Sequence, residues 1–361
     1  MTKKRVLTMM AVLAILAVLI YKQFSNWRSF DWRKFTASSG ALWRGAGLRH
    51  LLIAIFLIYV TYWLRAVRWK LFLKPVRRAR LSHLVPAQYI GFTGLALLGR
   101  PGELIRPYLI AKKENLTMSS QLAVWTVERI FDIGAFAVLI SIDVFFFGRQ
   151  LPQREALNKA AALLLVLVAG MGLAALFVRR HSHRAADWVE RQSAPLSPRL
   201  GALLSSKIRA FGAGLHTIKD GATFLQLAGV SVVIWFVISL CYRYVLHAYP
   251  RSSSLCLQCG MFHQMDVPEV LLLMASSMVG SMFQLPAVGG GSQLAVISML
   301  SSPLWFAVPH ELAVSAGILL WLVTFMAVIP AGLVLLHREH LSLRKLTAET
   351  AAPEAAPVAR E

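Results

Sequence analysis

The chain has 361 residues, of which 57% are hydrophobic and 15% charged, and its formal net charge is +21 at pH 7. Several apolar runs approach the roughly 20 residues with which a helix crosses a bilayer, so an ordinary soluble protein is excluded and an all-α, polytopic membrane protein is indicated. In a soluble protein this positive charge would suggest that the protein binds nucleic acid. Here most Lys and Arg lie between apolar segments, where membrane orientation and anionic lipids explain them, and we expect no nucleic-acid partner.

The first apolar segment, 6–21, follows the basic residues Lys3, Lys4 and Arg5. No small-residue cleavage site comes after it, so it predicts an uncleaved membrane helix rather than a signal peptide. We expect one transmembrane domain over 1–346, followed by a disordered cytoplasmic tail over 347–361, which is rich in Ala, Glu and Pro. Further apolar segments lie at 48–64, 84–98, 121–147, 160–178, 222–246, 270–285, 287–307 and 312–336.

Two of these segments are interrupted. Residues 84–98 contain Pro86 and run through Gly99 into Arg100 and Pro101, which predicts a broken or re-entrant helix. The pair at 270–307 is interrupted by Pro and Gly residues, and it forms either two spans or a re-entrant hairpin. Paired interruptions in the two halves of a chain are typical of transporter binding sites.

Lys and Arg residues outside the spans are unevenly divided between the two sides, and the richer side is expected to face the cytoplasm. This predicts a multi-pass protein of the bacterial inner membrane with both termini, 65–83 and 179–221 in the cytoplasm. Apolar residues recur at helical spacing over 204–218. That pattern predicts an amphipathic helix on the cytoplasmic membrane surface.

The cysteines, Cys241, Cys256 and Cys259, are too few for a disulfide framework. The lone Cys-x-x-Cys pair lacks the second pair of ligands that a zinc site needs. We interpret the cysteines as incidental thiols, and we expect neither a metal nor a cofactor.

The first candidate site follows the broken segment at 84–98. Arg100, Glu103 and Arg106 are spaced by three, so they lie on roughly one side of a helix that begins after Pro101. The guanidinium fork suits phosphate oxygens, and a helix N-terminus adds unpaired N–H groups. The alternative is a cytoplasmic loop in which the arginines pair with Glu103.

The next span carries charges at membrane depth. Glu128 and Asp132 are one turn apart and share a helix face, and Arg129 can reach Asp132 at three-residue spacing. Such charges are costly in lipid and mark a functional site by default. They form either a structural ion network with Arg100 or Arg106, or a working site for a polar substrate or a proton.

The late interruption offers further candidate contacts. Gly289, Gly290, Gly291 and Gln293 follow Pro286, and glycines at membrane depth permit unwound backbone close to a ligand. The alternative is a packing surface or a turn.

Asp143 and Arg243 each lie four residues before the external end of their predicted spans. Their equal depth predicts a structural ion pair near the external face.

A family resemblance rests on three motifs: Gly99-Arg100-Pro101-Gly102-Glu103-Leu104-Ile105-Arg106-Pro107-Tyr108-Leu109, Val127-Glu128-Arg129-Ile130-Phe131-Asp132, and Leu285-Pro286 with its glycine run. Over about 40–336 the chain resembles the flippase-like family named after the transmembrane region of lysylphosphatidylglycerol synthase. In that family the late motif ends in a glutamate, near whose position Gln293 stands here. The resemblance implies lipid handling. The chain ends shortly after its last span, so we do not expect the synthase's soluble aminoacyl-transfer domain.

These observations predict a lipid translocase that binds an anionic or zwitterionic headgroup, of a phospholipid or a polyprenyl-phosphate-type lipid, in an intramembrane cavity. We assign no catalytic residue, and without a Gly-x-x-x-x-Gly-Lys-[Ser/Thr] motif we do not expect ATP to drive transport. Downhill scrambling and proton coupling through Glu128 or Asp132 both stay open. The alternatives are a membrane enzyme acting on a lipid-linked substrate and a non-transporting partner in envelope lipid assembly, and protein partners are unknown.

Overall fold

The computed structural model of the chain describes residues 31–43, 45–147, 153–193, 197, 201–202, 204–206, 220–251, 258–281 and 290–351. Every regular element in these ranges is helical, which confirms the all-α class. The helices are α1 (Trp32–Ala41), α2 (Ala46–Leu73), α3 (Leu81–Leu98), α4 (Ile105–Glu114), α5 (Met118–Ile142), α6 (Arg154–Ser193), α7 (Gly221–Leu246), α8 (Val267–Gly280), α9 (Gly291–Ser301), α10 (His310–Trp321), α11 (Val328–Arg338) and α12 (Leu343–Ala351).

Within the described ranges, six helical stretches are long and apolar enough to cross a membrane, which confirms a multi-pass protein. α5 continues through a π-helical turn to Phe147, and α10 joins α11 through another such turn, Leu322–Met326. The six stretches are α2, α3, α5 with its π-turn, the Arg154–Ala174 part of α6, α7, and α10 with α11.

α2, α7 and the α10–α11 helix are packed with alternating direction. The Sγ of Cys241 on α7 lies 3.4 Å from the carbonyl oxygen of Ala54, and further along Ser231 meets Arg68 of α2, so these two helices are antiparallel. Tyr59 of α2 donates a hydrogen bond to the backbone oxygen of Ala327, and Tyr62, further along α2, donates one to that of Thr324. Residue numbers fall along the α10–α11 helix as they rise along α2, so these two helices are antiparallel as well. We name the two ends of this bundle after the ends of α2, as the Ala46 face and the Leu73 face.

The chain reverses sharply after α3. Gly99 has a φ of 70°, a left-handed conformation that glycine adopts without strain, and it ends the helix. A 3-10 turn, Arg100–Leu104, then leads into α4. A Cβ at Gly102 would clash with the carbonyl of Gly94. The turn can therefore pack directly onto α3 only because residue 102 is a glycine.

α4 returns along α3 toward the Leu73 face. A Cβ at Gly91 would lie only 2.5 Å from the Cβ of Arg106, and at the open end the ring nitrogen Nδ1 of His83 lies 2.9 Å from Glu114 Oε1. The two ends of the α3–α4 hairpin therefore lie together on one face. The first broken segment thus forms a helical hairpin, although α3 alone is also long enough to cross a membrane.

α8 and α9 form the second hairpin. They measure about 21 Å and about 17 Å at roughly 1.5 Å per residue, less than the ~30 Å hydrocarbon core, so neither spans it alone. Gly280 of α8 approaches the Gly291 carbonyl so closely that a Cβ there would clash. Arg243 at the end of α7 donates to Asp266 at the start of α8 over 3.0 Å, which places the open end of this hairpin at the Ala46 face.

The two hairpins belong to two units of opposite direction. The first unit is the span α2, the hairpin α3–α4 and the span α5, and its hairpin enters from the Leu73 face. The second is the span α7, the hairpin α8–α9 and the span α10–α11, and its hairpin enters from the Ala46 face. Inverted repeats of this kind are typical of secondary transporters, which bind substrate between the two units.

Three boundaries differ from the predicted ones. α2 runs to Leu73 instead of ending at 64, so Arg65 and Arg68 lie within a helix and not in a cytoplasmic loop. α6 continues past 178 to Ser193, with a kink at His181. The tail predicted to be disordered from 347 begins as the last turns of α12, because Glu349 accepts a hydrogen bond from Tyr108 of α4 over 2.6 Å.

The interpretation of the cysteines as incidental thiols is wrong for Cys259, which is disulfide-bonded, whereas Cys241 is free and buried. The predicted first membrane helix at 6–21 lies outside the described residues, as does most of the predicted surface helix at 204–218.

A buried arginine cluster as the candidate functional site

The extension of α2 carries two buried arginines. Ile58, Tyr62, Arg65, Trp69 and Phe72 follow one another at alternating spacings of four and three residues, which is the spacing of a single helix face, and all five are buried. Arg65 therefore continues the apolar stripe that packs α2 into the protein. Its guanidinium points into the bundle instead of reaching the aqueous surface.

Arg68 ties three spans together and is completely buried. Its Nη1 donates to Asp132 Oδ1 over 2.7 Å and to Ser231 Oγ over 2.9 Å, and its Nη2 donates to Glu128 Oε1 over 2.5 Å. Charge-assisted bonds of this length are the strong ones. Arg68 is thus the structural centre of the cluster, linking α2 to α5 and α7.

Arg106 reaches the same carboxylate from the α3–α4 hairpin. Both of its Nη atoms donate to Glu128, over 2.5 and 3.2 Å, and Nη1 also donates to Gln88 Oε1 over 3.2 Å. The guanidinium lies over the rings of Trp69, 4.7 Å from its centroid, and Phe92, at 5.2 Å. The position of this arginine therefore depends on the fold of the hairpin.

Two further arginines are held less firmly. Arg65 Nη1 lies 3.5 Å from Asp132 Oδ2, and Arg129 Nη2 lies 3.2 Å from the same atom. The Arg65 side chain is buried, whereas the Arg129 side chain is 42% exposed. Arg129 is thus the arginine through which the cluster reaches its surroundings.

The cluster carries an excess of positive charge. Arg65, Arg68, Arg106 and Arg129 form ion pairs with two carboxylates, Glu128 and Asp132, and a third carboxylate, Glu103, lines the groove near Arg129, so four positive charges meet three negative ones. Within the described part of the chain, the buried donors Arg68 Nε and Gln88 Nε2 have no hydrogen-bond acceptor, and Arg65 Nη1 has only its longer ion pairs with Asp132 and Glu128. Surplus charge and surplus donors in a site of low dielectric constant attract an anion.

A small groove, with about 40 Å³ of enclosed space, opens beside the cluster. Glu128 lies ten residues after the start of α5, which is about 15 Å from the Leu73 face at roughly 1.5 Å per residue. The groove therefore lies in the half of α5 nearer that face. Its lining residues are Gly91, Phe92, Leu95, Glu103, Arg106, Trp125 and Arg129.

The structure brings together four of the residues singled out in the sequence, Arg106, Glu128, Arg129 and Asp132, and puts Glu103 on the groove. The Arg100 side chain and Gly289 lie outside what the structure describes. Gly290, Gly291 and Gln293 belong to the second hairpin, and in the described part of the chain they make none of the cluster's ion pairs or hydrogen bonds.

Arg65 and Arg68 are not among the predicted site residues, because the predicted apolar segment ends at residue 64, directly before the first of these arginines. The signal was present, since Trp69 and Phe72 continue the face of Ile58 beyond both arginines. An arginine pair followed by further apolar residues at helical spacing indicates charges inside a span.

The predicted ion pair between Asp143 and Arg243 is wrong. Arg243 donates from Nε and Nη2 to Asp266 Oδ1, over 3.2 and 3.0 Å, because that carboxylate stands at the start of α8 directly beside the end of α7. Asp143 is buried on α5, and its Oδ2 has no hydrogen-bond partner in the described residues.

The charged cluster and its groove can be set beside known proteins. A stretch of 95 residues is 33% identical to Glycosyltransferase AglD of Haloferax volcanii, which corresponds to 26% of this chain and only 15% of that protein. No solved structure matches the chain. The family model described as the lysylphosphatidylglycerol synthase TM region matches residues 6–332, which begins earlier than the resemblance traced from the motifs. The chain belongs to the family of the lysylphosphatidylglycerol synthase transmembrane region.

Proposed function

We propose that this protein binds the phosphate-bearing headgroup of a membrane lipid in the groove and moves that lipid between the two leaflets. One observation carries the proposal: the buried cluster keeps a surplus of positive charge, even with Glu103 counted, and opens to the groove at Arg106 and Arg129. A phosphate oxygen can accept hydrogen bonds from the forks of both arginines. Membership in a family named after a lipid-synthesising membrane protein supports a lipid as the ligand.

The physical obstacle to lipid translocation is the headgroup charge. A single ionised side chain at mid-bilayer costs about 2.5 to 3.5 kcal/mol on insertion-based scales, and a phosphate faces the same obstacle. The groove offers guanidinium groups at membrane depth, and the acyl chains stay in lipid. Arg68 and its carboxylate partners hold the other arginines in place, so the site is formed before the lipid arrives.

The two hairpins supply the elements that can open and close. Arg106 is part of the α3–α4 hairpin, so a displacement of this hairpin at the Leu73 face would move one side of the groove. The α8–α9 hairpin would act in the same way at the Ala46 face, with Gly290, Gly291 and Gln293 contacting the headgroup on its second half of the path. All residues that line the groove belong to the first unit, so movement of the hairpins, and not rocking of the two units around a site between them, would open and close the path.

We propose that the Leu73 face is cytoplasmic and that both termini lie on this side of the bacterial inner membrane. The distribution of Lys and Arg supports this orientation. The disulfide-bonded Cys259, in the connection that follows α7 at the Ala46 face, fits an oxidising compartment outside the cytoplasm.

Lipid translocation by the purified protein in liposomes tests the proposal. The assay compares two lipids that carry the same label on an acyl chain and differ only in the headgroup. One bears a phosphate, and the other is neutral and has no phosphate. We expect faster translocation of the phosphate-bearing lipid than in protein-free liposomes, and no acceleration of the neutral one. The variant Lys159→Gln is a matched control, since it removes one positive charge at an exposed position far from the groove. Equal rates for both lipids would contradict headgroup recognition.

A second candidate function, an enzyme acting on a lipid-linked substrate, draws its support from the short similarity to a glycosyltransferase. The same liposomes distinguish the two functions. Mass spectrometry should recover the lipid chemically unchanged after translocation, whereas an enzyme would leave a modified headgroup.

A further inference from the structure

Within the described residues, Asp143 is a buried carboxylate without a counter-charge. It stands at the Ala46 end of α5, where the helix widens into a π-helical turn, and it is 3% exposed. Its Oδ2 meets no hydrogen-bond donor, and none of the ion pairs in the described residues includes it. Burial of an ionised carboxylate without a partner is strongly unfavourable, so such a group exchanges its charge for a proton.

The charged groups of the neighbouring elements leave Asp143 uncompensated. On α6, Lys159 is paired with Glu155 over 2.7 Å, and both side chains are largely exposed. α8 packs against the π-helical turn that begins at Asp143, and its Glu269 has the same sign as Asp143. The arginine at the end of α7 is engaged by Asp266, as described above.

The carboxylates of the arginine cluster have the opposite surroundings. Glu128 receives hydrogen bonds from Arg68 and Arg106, and Asp132 receives one from Arg68. Protonating either would leave guanidinium groups buried without compensation. Their role in binding the headgroup is compatible with a fixed charge, so a proton that switches the conformation needs another acceptor.

We infer that Asp143 is a proton-binding site accessible from the Ala46 face and that its protonation controls the α8–α9 hairpin. The proton passes from water at this face to Oδ2 and returns to water when the hairpin opens. The inference rests on the proposed function in one respect: it takes lipid as the molecule whose movement this proton would control.

The link to the hairpin is the start of α8. Glu269 accepts a hydrogen bond from the backbone N–H of Asp266 over 2.9 Å as part of a capping box, so its carboxylate is fixed close to the first turn of the helix. A neutral Asp143 lets α8 pack against α5. An ionised Asp143 faces a second negative charge in a poorly solvated place, which favours separation of the hairpin from α5.

Hydrogen–deuterium exchange of the peptide 267–281 tests this inference without any lipid assay. The full-length protein in lipid nanodiscs is measured across a pH series, with the intrinsic pH dependence of exchange removed. We expect protection of this peptide to fall with rising pH by up to about tenfold per pH unit, the limit for one linked proton. Asp143→Asn, which has the shape of the protonated group, should keep the peptide protected at every pH.

Two more variants keep the experiment decisive. Glu269→Gln removes the like charge and leaves Asp143 in place. An ionised Asp143 is then repelled less, so the fall in protection with rising pH should be smaller than in the parent. Glu155→Gln changes an exposed carboxylate on α6 and should behave as the parent. A parent-like pH dependence in Asp143→Asn, or an undiminished fall in protection in Glu269→Gln, would overturn the inference. A hairpin response without lipid transport would instead refute the proposed function and leave the proton site standing.

Discussion

Replacement of Arg68 by Met is the most demanding test of the arginine cluster. The side chain is fully buried and makes hydrogen bonds to Glu128, Asp132 and Ser231. Arg68→Met removes these bonds and one of the charges that compensate the two carboxylates. Breaking a buried ion pair by removing one partner costs about 3 to 5 kcal/mol, and we expect a loss of unfolding free energy in that range.

The assay is reversible unfolding of the purified protein in detergent, for the single variants Arg68→Met and Asp132→Asn and for the double variant. The two side chains touch, so the double variant should be more stable than the sum of the single losses predicts, by about 1 kcal/mol or more. Arg129→Met is the matched comparison: its side chain is 42% exposed, and we expect it to cost no more than about 1 kcal/mol. Parent-like stability of Arg68→Met, or strict additivity in the double variant, would refute the structural role of Arg68.

Three further predictions concern the hairpin, the tail and the topology. Gly102→Ala should destabilise the α3–α4 hairpin and impair lipid translocation, since its Cβ would clash with the α3 backbone, whereas Gly172→Ala, with nothing within 4 Å, should be neutral or slightly stabilising. Tyr108→Phe should increase proteolysis of the C-terminal helix with little effect on overall stability, because it removes the hydrogen bond to α12, and unchanged cleavage would contradict that docking. In a protein without its native cysteines, Arg251→Cys should react with a membrane-impermeant thiol reagent from outside the cell, and Ser342→Cys should react only after lysis. The reverse pattern of labelling would show that the proposed topology is inverted.

Much of the fold could be predicted from the sequence, because the bilayer makes hydrophobicity and chain breaks informative. The glycines and prolines around Arg100 indicated a broken segment, and the structure shows a hairpin there. The sequence left open whether 270–307 forms two spans or a hairpin, because the apolar run does not show where its helices end. In the described residues α8 and α9 end early and contact each other at Gly280, as in a hairpin.

The candidate site was predictable only in part. Glu128 and Asp132 stood out as acids inside an apolar run, but Arg65 and Arg68 stood at the edge of one, where a loop and a buried helix end look alike in composition. Pairing was harder still. The predicted pair of Arg243 and Asp143 rests on their equal depth, but equal depth does not show which helices are neighbours. In the structure Asp266 at the start of α8 lies closer to Arg243 and pairs with it.

The arginine pair at the groove gives the most direct test of the central claim that the cluster recognises a lipid phosphate. Arg106→Lys keeps the positive charge but loses the fork that donates twice to one partner, so the protein should insert and fold while translocation of the phosphate-bearing lipid in liposomes slows. Arg106→Lys combined with Arg129→Gln should slow it further, whereas the Lys159→Gln control should match the parent. Translocation at the parent rate in folded Arg106→Lys and in the combined variant would contradict the claim and leave the cluster as an ion network that only holds the helices together.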